Sequence, residues 1–226
     1  MTNPTTAALL AQLRGFDTPT VSNAIESLNV RAATEGSLGR EVRCLTPALG
    51  VMVGYAVTVT IDNASPQRSP AAKGVGAFYR ALAAAPKPAV VVMQDLSVRP
   101  SHSCHLGDIV SSICKRLGAV GVVTDGAIRD LKGIQEVGFH VFASGVTPSR
   151  GVYQWMDVNV PVTLSGVTLR PGDVIHADAN GVVTVPAAAL DRLAAACLAI
   201  REKEQALKDY AGSPEFSLDG LLARLK

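Results

Sequence analysis

An arginine and an aspartate, Arg129 and Asp130, follow an apolar segment and a glycine in the stretch VVTDGAIRD, residues 122–130. A planar guanidinium can bind a carboxylate or a polarised carbonyl through two parallel hydrogen bonds. The carboxylate beside it can hold a hard divalent cation, or it can cap the helix that follows. Gly126 is expected to let the backbone turn with positive φ. Because capping alone would not require Arg129, the pair favours an anion clamp next to a metal ligand.

A second candidate lies upstream, in HSCHLGDIV, residues 102–110. Gly107 is predicted to mark a close approach of the backbone at the start of a helix, where unpaired N–H groups bind anions. The predicted cradle for an oxyanion or carboxylate consists of Gly107, Asp108, Ile109 and Val110.

The same segment also contains three possible zinc ligands, His102, Cys104 and His105. Three ligands within four residues would strain a tetrahedral site, and no second ligand pair completes it. Zinc is therefore the weaker interpretation. Two further interpretations of His105 stay open: it lines the wall of the pocket, or it is an ordinary loop histidine.

The last predicted helix carries a third candidate, Glu204. An apolar stripe with spacings of three and four residues is formed by Leu190, Leu193, Cys197, Ile200 and Leu207. Glu204 falls on this stripe, where a buried carboxylate needs a partner. It is either a partly exposed helix end or a group that reaches a metal or cation, including one across a subunit boundary.

Alternating strands and helices must position these residues. The predicted helices are 9–13, 22–28, 76–85, 107–117, 130–137 and 187–210, and the predicted β segments are 54–61, 89–93, 119–124, 140–143, 158–169, 174–177 and 181–185. The order indicates right-handed βαβ crossovers and a mostly parallel sheet. Ligands collect at the carboxyl ends of such strands, and the Arg129–Asp130 pair follows one of them.

Four local signals mark the connections. Residues 17–20 are predicted as a turn, with Ser22 capping the next helix. The polar, proline-bearing segment 62–70 is predicted as a loop. The Asn-Gly within residues 178–181 predicts a hairpin, and Pro186 is expected to start the last helix.

Composition narrows the class of protein. The chain has 226 residues, 48% of them hydrophobic, and a formal net charge of +2 from scattered basic residues. A scattered charge argues against nucleic acid as the main partner, because phosphate binding needs a basic face. No apolar run approaches the roughly 20 residues needed to span a bilayer. We expect one α/β domain covering residues 1–226.

Cysteine usage and the N-terminus predict the compartment. Cys44, Cys104, Cys114 and Cys197 are widely spaced and form no CxxC pair, which is typical of reduced thiols. Residues 1–18 lack a basic start followed by a long apolar stretch, so no signal peptide is predicted. Both features predict a cytoplasmic protein.

The segment GDIVSSICKRLGAVGVVTDGAIRD, residues 107–130, resembles the hallmark segment of the RraA-like family. This family contains 4-hydroxy-4-methyl-2-oxoglutarate aldolases that also decarboxylate oxaloacetate, and the ribonuclease E regulator RraA. GYAVTV, FASGVTP and residues 158–186 are similar to other blocks of the family. The resemblance implies a layered α/β/β sandwich with a mostly parallel central sheet, a later β-rich section and a long C-terminal helix. It also implies homotrimers or homohexamers, in which that helix can pack on a neighbouring subunit.

The resemblance also implies roles for individual residues. Backbone groups of residues 107–110 would hold the pyruvyl part of a substrate, and Arg129 would contact its carbonyl and carboxylate oxygens. Asp130 would be the protein ligand of Mg²⁺ or Mn²⁺. The family places a glutamate of a neighbouring subunit close to that metal, and Glu204, or else Glu202, is the match. The family's aldolases usually have Gly-Glu-Leu-Leu where this chain has Gly-Asp-Ile-Val.

Two functions follow as hypotheses. The first is a divalent-metal-dependent lyase that cleaves a C–C bond in a short 2-oxo acid by retro-aldol cleavage or decarboxylation, through pyruvate enolate. The second is a non-catalytic, RraA-type protein that binds and regulates a ribonuclease without needing a metal. A regulator has no evident need for both the Arg129–Asp130 pair and the anion cradle. The sequence therefore favours the enzyme and leaves the 2-oxo acid open.

Overall fold

The fold is taken from a computed structural model, which describes residues 4–62, 72–99 and 102–225. Its helices are α1 (Pro4–Leu13), α2 (Thr18–Ser27), α3 (Val75–Ala84), α4 (Asp108–Arg116), α5 (Leu131–Val137), α6 (Leu190–Ala211) and α7 (Leu218–Arg224). Its strands are β1 (Arg43–Cys44), β2 (Met52–Asp62), β3 (Ala89–Asp95), β4 (Ala119–Thr124), β5 (Ala127–Ile128), β6 (His140–Ala143), β7 (Gly145–Val146), β8 (Gln154–Val158), β9 (Val162–Leu164), β10 (Val167–Leu169), β11 (Val174–Asp178) and β12 (Gly181–Val185).

The main sheet has the strand order β1-β6-β4-β3-β2-β11-β12, and β8 also pairs with β2. The three central pairs, β2–β3, β3–β4 and β4–β6, are parallel. The flanking pairs formed by β1, β8, β11 and β12 are antiparallel. This arrangement confirms the predicted parallel centre and the β-rich section that follows it.

Side chains of β3 alternate between two buried layers, as the period of two in a strand requires. Ala89, Val91 and Met93 belong to a core shared with α3, α4 and α5. Val90 and Val92 belong to another core on the opposite face, which the β9–β10 hairpin covers. Burial on both faces explains why β3 reads as a continuous apolar run.

A third core lies where α1, α2 and α6 pack on β2, β11 and β12. Leu193 and Cys197 of α6 are fully buried there, and Leu190 and Ile200 are partly buried. These four residues confirm the predicted apolar stripe. All four cysteines are free thiols.

The structure corrects the start of three helices, and α1 begins at Pro4 rather than at residue 9. α2 begins at Thr18 rather than after Ser22, because the Asp17 carboxylate accepts hydrogen bonds from Thr20 N–H and Thr20 Oγ1, both 2.9 Å long. Residues 17–20 therefore form a capped helix start instead of a separate turn. α6 begins at Leu190, because residues 187–189 form a 3₁₀ turn after Pro186.

The predicted β segment 158–169 is divided into the end of β8 and the hairpin β9–β10. Ser165 and Gly166 both have positive φ, as a two-residue hairpin turn requires. The hairpin predicted at residues 178–181 is confirmed, with Asp178 opposite Gly181. Of the predicted loop 62–70, residue 62 ends β2 and the remainder lies outside the described residues.

Across the described parts of the chain, every helix is too short or too polar to cross a membrane.

Candidate active site

Two backbone segments meet at the carboxyl end of the parallel strands. Arg129 and Asp130 connect β5 to α5, and the Arg129 N–H donates a 3.1 Å hydrogen bond to the Leu106 carbonyl. Cys104 forms a parallel bridge with Ala127 in the same region. These contacts place the start of α4 beside the Arg129–Asp130 pair.

The two segments enclose a cavity of about 150 Å³. All the residues predicted to bind substrate or metal line this cavity, except the glutamate of the last helix. They are Gly107, Asp108, Ile109, Val110, Arg129 and Asp130. His105 also lines it, in agreement with the pocket-wall interpretation. The cavity therefore brings together, within one chain, residues that precede and follow β4 in the sequence.

Arg129 and Asp130 form an ion pair, with Arg129 Nε 3.2 Å from Asp130 Oδ2. Their side chains are 36% and 41% exposed, so both groups can reach a ligand. Among the described residues, neither makes a second ion pair. A cation and an anion thus share one rim of the cavity.

Asp130 does not cap α5, so the capping interpretation of this residue was wrong. It occupies the residue before the helix, but its side chain makes no capping hydrogen bond. Its backbone lies in the left-handed region, with φ 55° and ψ 38°. This conformation is unfavourable for most residues and tolerable for Asp or Asn, and it directs the carboxylate toward Arg129 rather than the helix.

Gly107 leaves room for the observed position of this carboxylate. A Cβ at residue 107 would lie 2.5 Å from Asp130 Oδ2 and 3.4 Å from Arg129 Nε. The predicted close approach at Gly107 is therefore present: the side chains of Arg129 and Asp130 lie against its backbone.

The first turn of α4 provides only part of the predicted anion cradle. The N–H of Ile109 donates a 2.7 Å hydrogen bond to Asp108 Oδ1, so this donor already has an acceptor. The first N–H groups of any helix lack carbonyl partners within the helix, which leaves donors at Asp108 and Val110. Asp108 also adds a negative charge at the positive end of the helix. An anionic ligand at Ile109 would have to displace the Asp108 carboxylate.

Gly126 has a different role from the one predicted. Its φ is not among the positive values. Instead, a Cβ at residue 126 would lie 2.4 Å from His105 Cε1 and 2.7 Å from His105 Nε2. Glycine at this position makes room for the imidazole behind the cavity.

We expect Gly126→Ala to lower the free energy of unfolding by about 1–3 kcal/mol, because the added methyl group overpacks a buried site. Urea unfolding followed by circular dichroism measures this change. Gly145→Ala is the control, since a Cβ there meets only Arg43 Nη2 at 3.9 Å. A loss for Gly126→Ala no larger than for Gly145→Ala would contradict the steric explanation.

A buried polar cluster lies behind the cavity, and the sequence analysis did not identify it. The N–H of Asp95, at the end of β3, donates a 2.8 Å hydrogen bond to Asp125 Oδ1. His105 Nδ1 lies 3.9 Å from Asp95 Oδ2, and His105 Nε2 lies 3.4 Å from Thr124 Oγ1. The signal available was an aspartate at the end of β3 and another directly after β4, two adjacent parallel strands.

Burial controls the protonation of this cluster. Burial lowers the pKa of His105 to about 4, and the negative charge of Asp95 opposes this decrease. Burial raises the pKa of Asp125 to about 6, and the Asp95 charge adds to this increase. Near neutral pH, His105 is therefore a neutral imidazole in the wall of the cavity.

The zinc interpretation has no geometric support. His102 is exposed, whereas Cys104 and His105 are buried. Within the described residues, no group of three His, Cys, Asp or Glu side chains is placed to hold a metal ion. Asp130 is a single carboxylate, which suits a hard cation that keeps most of its water ligands.

Glu204 and Glu202 lie away from this cavity in the protomer. They belong to α6, which packs on α1, α2 and α7, and neither residue lines the cavity. Glu204 is half-buried and Glu202 is exposed. Within one chain neither glutamate therefore reaches the cavity, and an approach from a neighbouring subunit stays a prediction.

Comparison with known proteins agrees with this fold. The family model RraA-like, described as Aldolase/RraA, matches residues 18–184. A protein of Halalkalibacterium halodurans, provisionally named 4-hydroxy-4-methyl-2-oxoglutarate aldolase, is 30% identical over 182 residues, covering 78% of this chain and 76% of its own.

Two solved structures have the same architecture. An uncharacterized protein from Pseudomonas syringae pv. tomato has a TM-score of 0.75 at 23% identity, covering 96% of this chain and 93% of its own. RraAS2 of Streptomyces coelicolor, described as an unusual member of the RNase ES inhibitor RraA protein family, has a TM-score of 0.71 at 25% identity, with coverage of 88% and 95%. The family match covers more than half of the chain, which therefore belongs to the RraA-like family.

Proposed function

We propose that the protein is a divalent-metal-dependent lyase that cleaves a C–C bond in a short 2-oxo acid. The observation that carries this proposal is the Arg129–Asp130 ion pair facing the first turn of α4 across Gly107. The cavity between them, about 150 Å³, suits a fragment of pyruvate size. The provisional name of the relative from H. halodurans supports the same class of reaction.

Each group has a separate task in this proposal. The substrate's carboxylate and keto oxygen bind the Arg129 guanidinium and the free N–H groups at the start of α4. Asp130 would hold Mg²⁺ or Mn²⁺, which when bound would supply positive charge next to the 2-oxo oxygens. As the C–C bond breaks, Arg129 and the helix N-terminus stabilise the negative charge of the pyruvate enolate.

Proton transfer requires another group, since only 1% of His105 is exposed, at the wall of the cavity. We assign this task to Glu204, or else Glu202, from a neighbouring subunit of a homotrimer or homohexamer. The half-buried position of Glu204 on α6 is compatible with a contact between subunits. Its carboxylate would accept the proton of the C4 hydroxyl during retro-aldol cleavage.

A second candidate function rests on the similarity to RraAS2, which is named after ribonuclease inhibition. A non-catalytic regulator would bind a ribonuclease directly and would need neither Asp130 nor a metal. This function predicts ribonuclease binding that is unchanged by chelator.

The decisive assay measures pyruvate from 4-hydroxy-4-methyl-2-oxoglutarate and from oxaloacetate. We expect turnover of at least one compound with Mg²⁺, and a decrease of at least about 100-fold with chelator, because the enolate charge loses its main counter-charge. Restoring Mg²⁺ in excess of the chelator should restore the rate. Absence of pyruvate from both compounds, together with ribonuclease binding, would favour the regulator instead.

Gly107→Ala tests the geometry without removing a functional group. We expect kcat/KM to fall by about 10- to 100-fold, because the methyl group displaces the Asp130 carboxylate from its position against Arg129. Steady-state kinetics with matched circular dichroism spectra measures this effect. Gly212→Ala, where a Cβ meets only backbone oxygens at 3.6 Å and beyond, should retain full activity.

A further inference from the structure

A larger groove opens beside the cavity. Its volume is about 670 Å³, against about 150 Å³ for the cavity. Val110, Arg150 and Tyr153 line both spaces, so the two are adjacent. A ligand whose one end fills the cavity can therefore extend toward the groove.

Aromatic residues are concentrated in and beneath this groove. The chain has only five Phe, four Tyr and one Trp. Phe78, Tyr79, Tyr153 and Trp155 form a single cluster, in which Phe78 stacks on Trp155 at 4.6 Å and Tyr153 meets Trp155 edge-on at 6.1 Å. Such packing holds the rings in place before a ligand arrives.

The groove wall carries little charge. Burial raises the pKa of Tyr79 to about 12, so its phenol is neutral under physiological conditions. Arg150 makes no ion pair with any described residue and stands where groove and cavity join. A guanidinium in this position can lie over an aromatic ring as well as contact an oxygen.

We propose that this groove is a subsite for an aromatic or bulky apolar substituent on the C4 side of the 2-oxo acid. The inference rests on the proposed function, because it places the pyruvyl end of the substrate in the cavity. The other fragment of the cleaved C–C bond then lies at the shared wall formed by Val110 and Tyr153. Apolar area buried against the rings favours an aryl substituent over a methyl group.

4-Hydroxy-2-oxo-4-phenylbutanoate represents this substrate class. The base removes the proton of the C4 hydroxyl, the C3–C4 bond breaks, and its electron pair forms the enolate of pyruvate. Protonation at C3 gives pyruvate, and C4 leaves as the aldehyde carbon of benzaldehyde. No oxidant, reductant or second substrate is consumed.

The test measures binding with compounds that cannot be cleaved. 2-Oxo-4-phenylbutanoate and 2-oxobutanoate both lack the C4 hydroxyl, and isothermal titration calorimetry in Mg²⁺ gives their Kd values. We expect the phenyl compound to bind at least about tenfold more tightly. Trp155 is the chain's single tryptophan, so its fluorescence gives a second readout inside the groove.

A charge placed in the groove should remove this preference. Val152 lines the groove but not the cavity and is 54% exposed, so Val152→Asp should fold normally. We expect its two Kd values to become equal through weaker binding of the phenyl compound alone. Leu198→Asp on α6, also at a site 54% exposed, is the matched control and should keep the preference.

The outcomes separate this inference from the proposed lyase. Equal Kd values in the unaltered protein would overturn the subsite and leave the lyase untouched. Tight phenyl binding without cleavage of any 4-hydroxy-2-oxo acid would overturn the lyase and retain the subsite. If Val152→Asp weakens both compounds alike and lowers the mass of the assembly, the groove is covered by a second copy of the chain and the inference is wrong. If neither compound binds, both proposals are wrong.

Discussion

Asp130→Asn is expected to lower kcat/KM for pyruvate release by at least about 100-fold, with little change in the free energy of unfolding. The substitution removes the charge that would hold the divalent cation and that pairs with Arg129 at 3.2 Å. Asn is the informative replacement because it also tolerates a left-handed backbone, which residue 130 adopts at φ 55°. An Ala variant would mix the loss of the ligand with backbone strain of about 1–2 kcal/mol.

Two measurements make the Asp130→Asn result specific. Titration calorimetry with Mg²⁺ should show binding by the unaltered protein and a large loss of affinity in the variant. Asp209→Asn, at an exposed position of α6, should change neither property. Normal turnover by Asp130→Asn would rule out the assignment of Asp130 as the metal ligand.

Arg129→Ala is expected to lower kcat by about 10²–10³-fold, because it removes the donor that stabilises the enolate charge. Arg129→Lys keeps the positive charge but loses the planar pair of donors, so its activity should lie between those of Arg129→Ala and the unaltered protein. The ratio of effects on kcat and KM shows whether the guanidinium acts in the transition state or only in substrate binding. Guanidinium ion added to Arg129→Ala should restore part of the rate.

Arg192→Ala, at an exposed position of α6, is the matched control and should retain full activity. Size-exclusion chromatography of the Arg129 variants shows whether the assembly is unchanged. A variant in which KM rises while kcat is preserved would contradict a role for Arg129 in enolate stabilisation. Near-normal kcat/KM in Arg129→Ala would remove Arg129 from the site altogether.

Elements with a strong local signal were predictable to the residue. β4 (Ala119–Thr124) and β6 (His140–Ala143) match their predicted bounds: β4 is an apolar run between Gly118 and Asp125, and β6 ends before Ser144. The convergence of residues 107–110 with Arg129 and Asp130 was predictable from the rule that ligands bind at the carboxyl ends of parallel strands. The cavity confirms that these residues meet.

Features that depend on long-range contacts were not predictable. The two-residue strands β5 and β7 exist only because they pair with each other. The role of Gly126 depends on the His105 ring, and the occupied N–H of Ile109 depends on the rotamer of Asp108. None of these contacts leaves a periodic pattern in the sequence.

The left-handed torsion of Asp130 has a consequence for engineering this protein. Replacing Asp130 with Gly would relax the backbone at the position of the proposed metal ligand. If Asp130 is the metal ligand of the proposed lyase, residue 130 is a point of trade-off, at which a more stable fold and catalysis require different side chains. Screens that select variants for heat resistance alone should drift away from aspartate there, and selection for turnover should restore it.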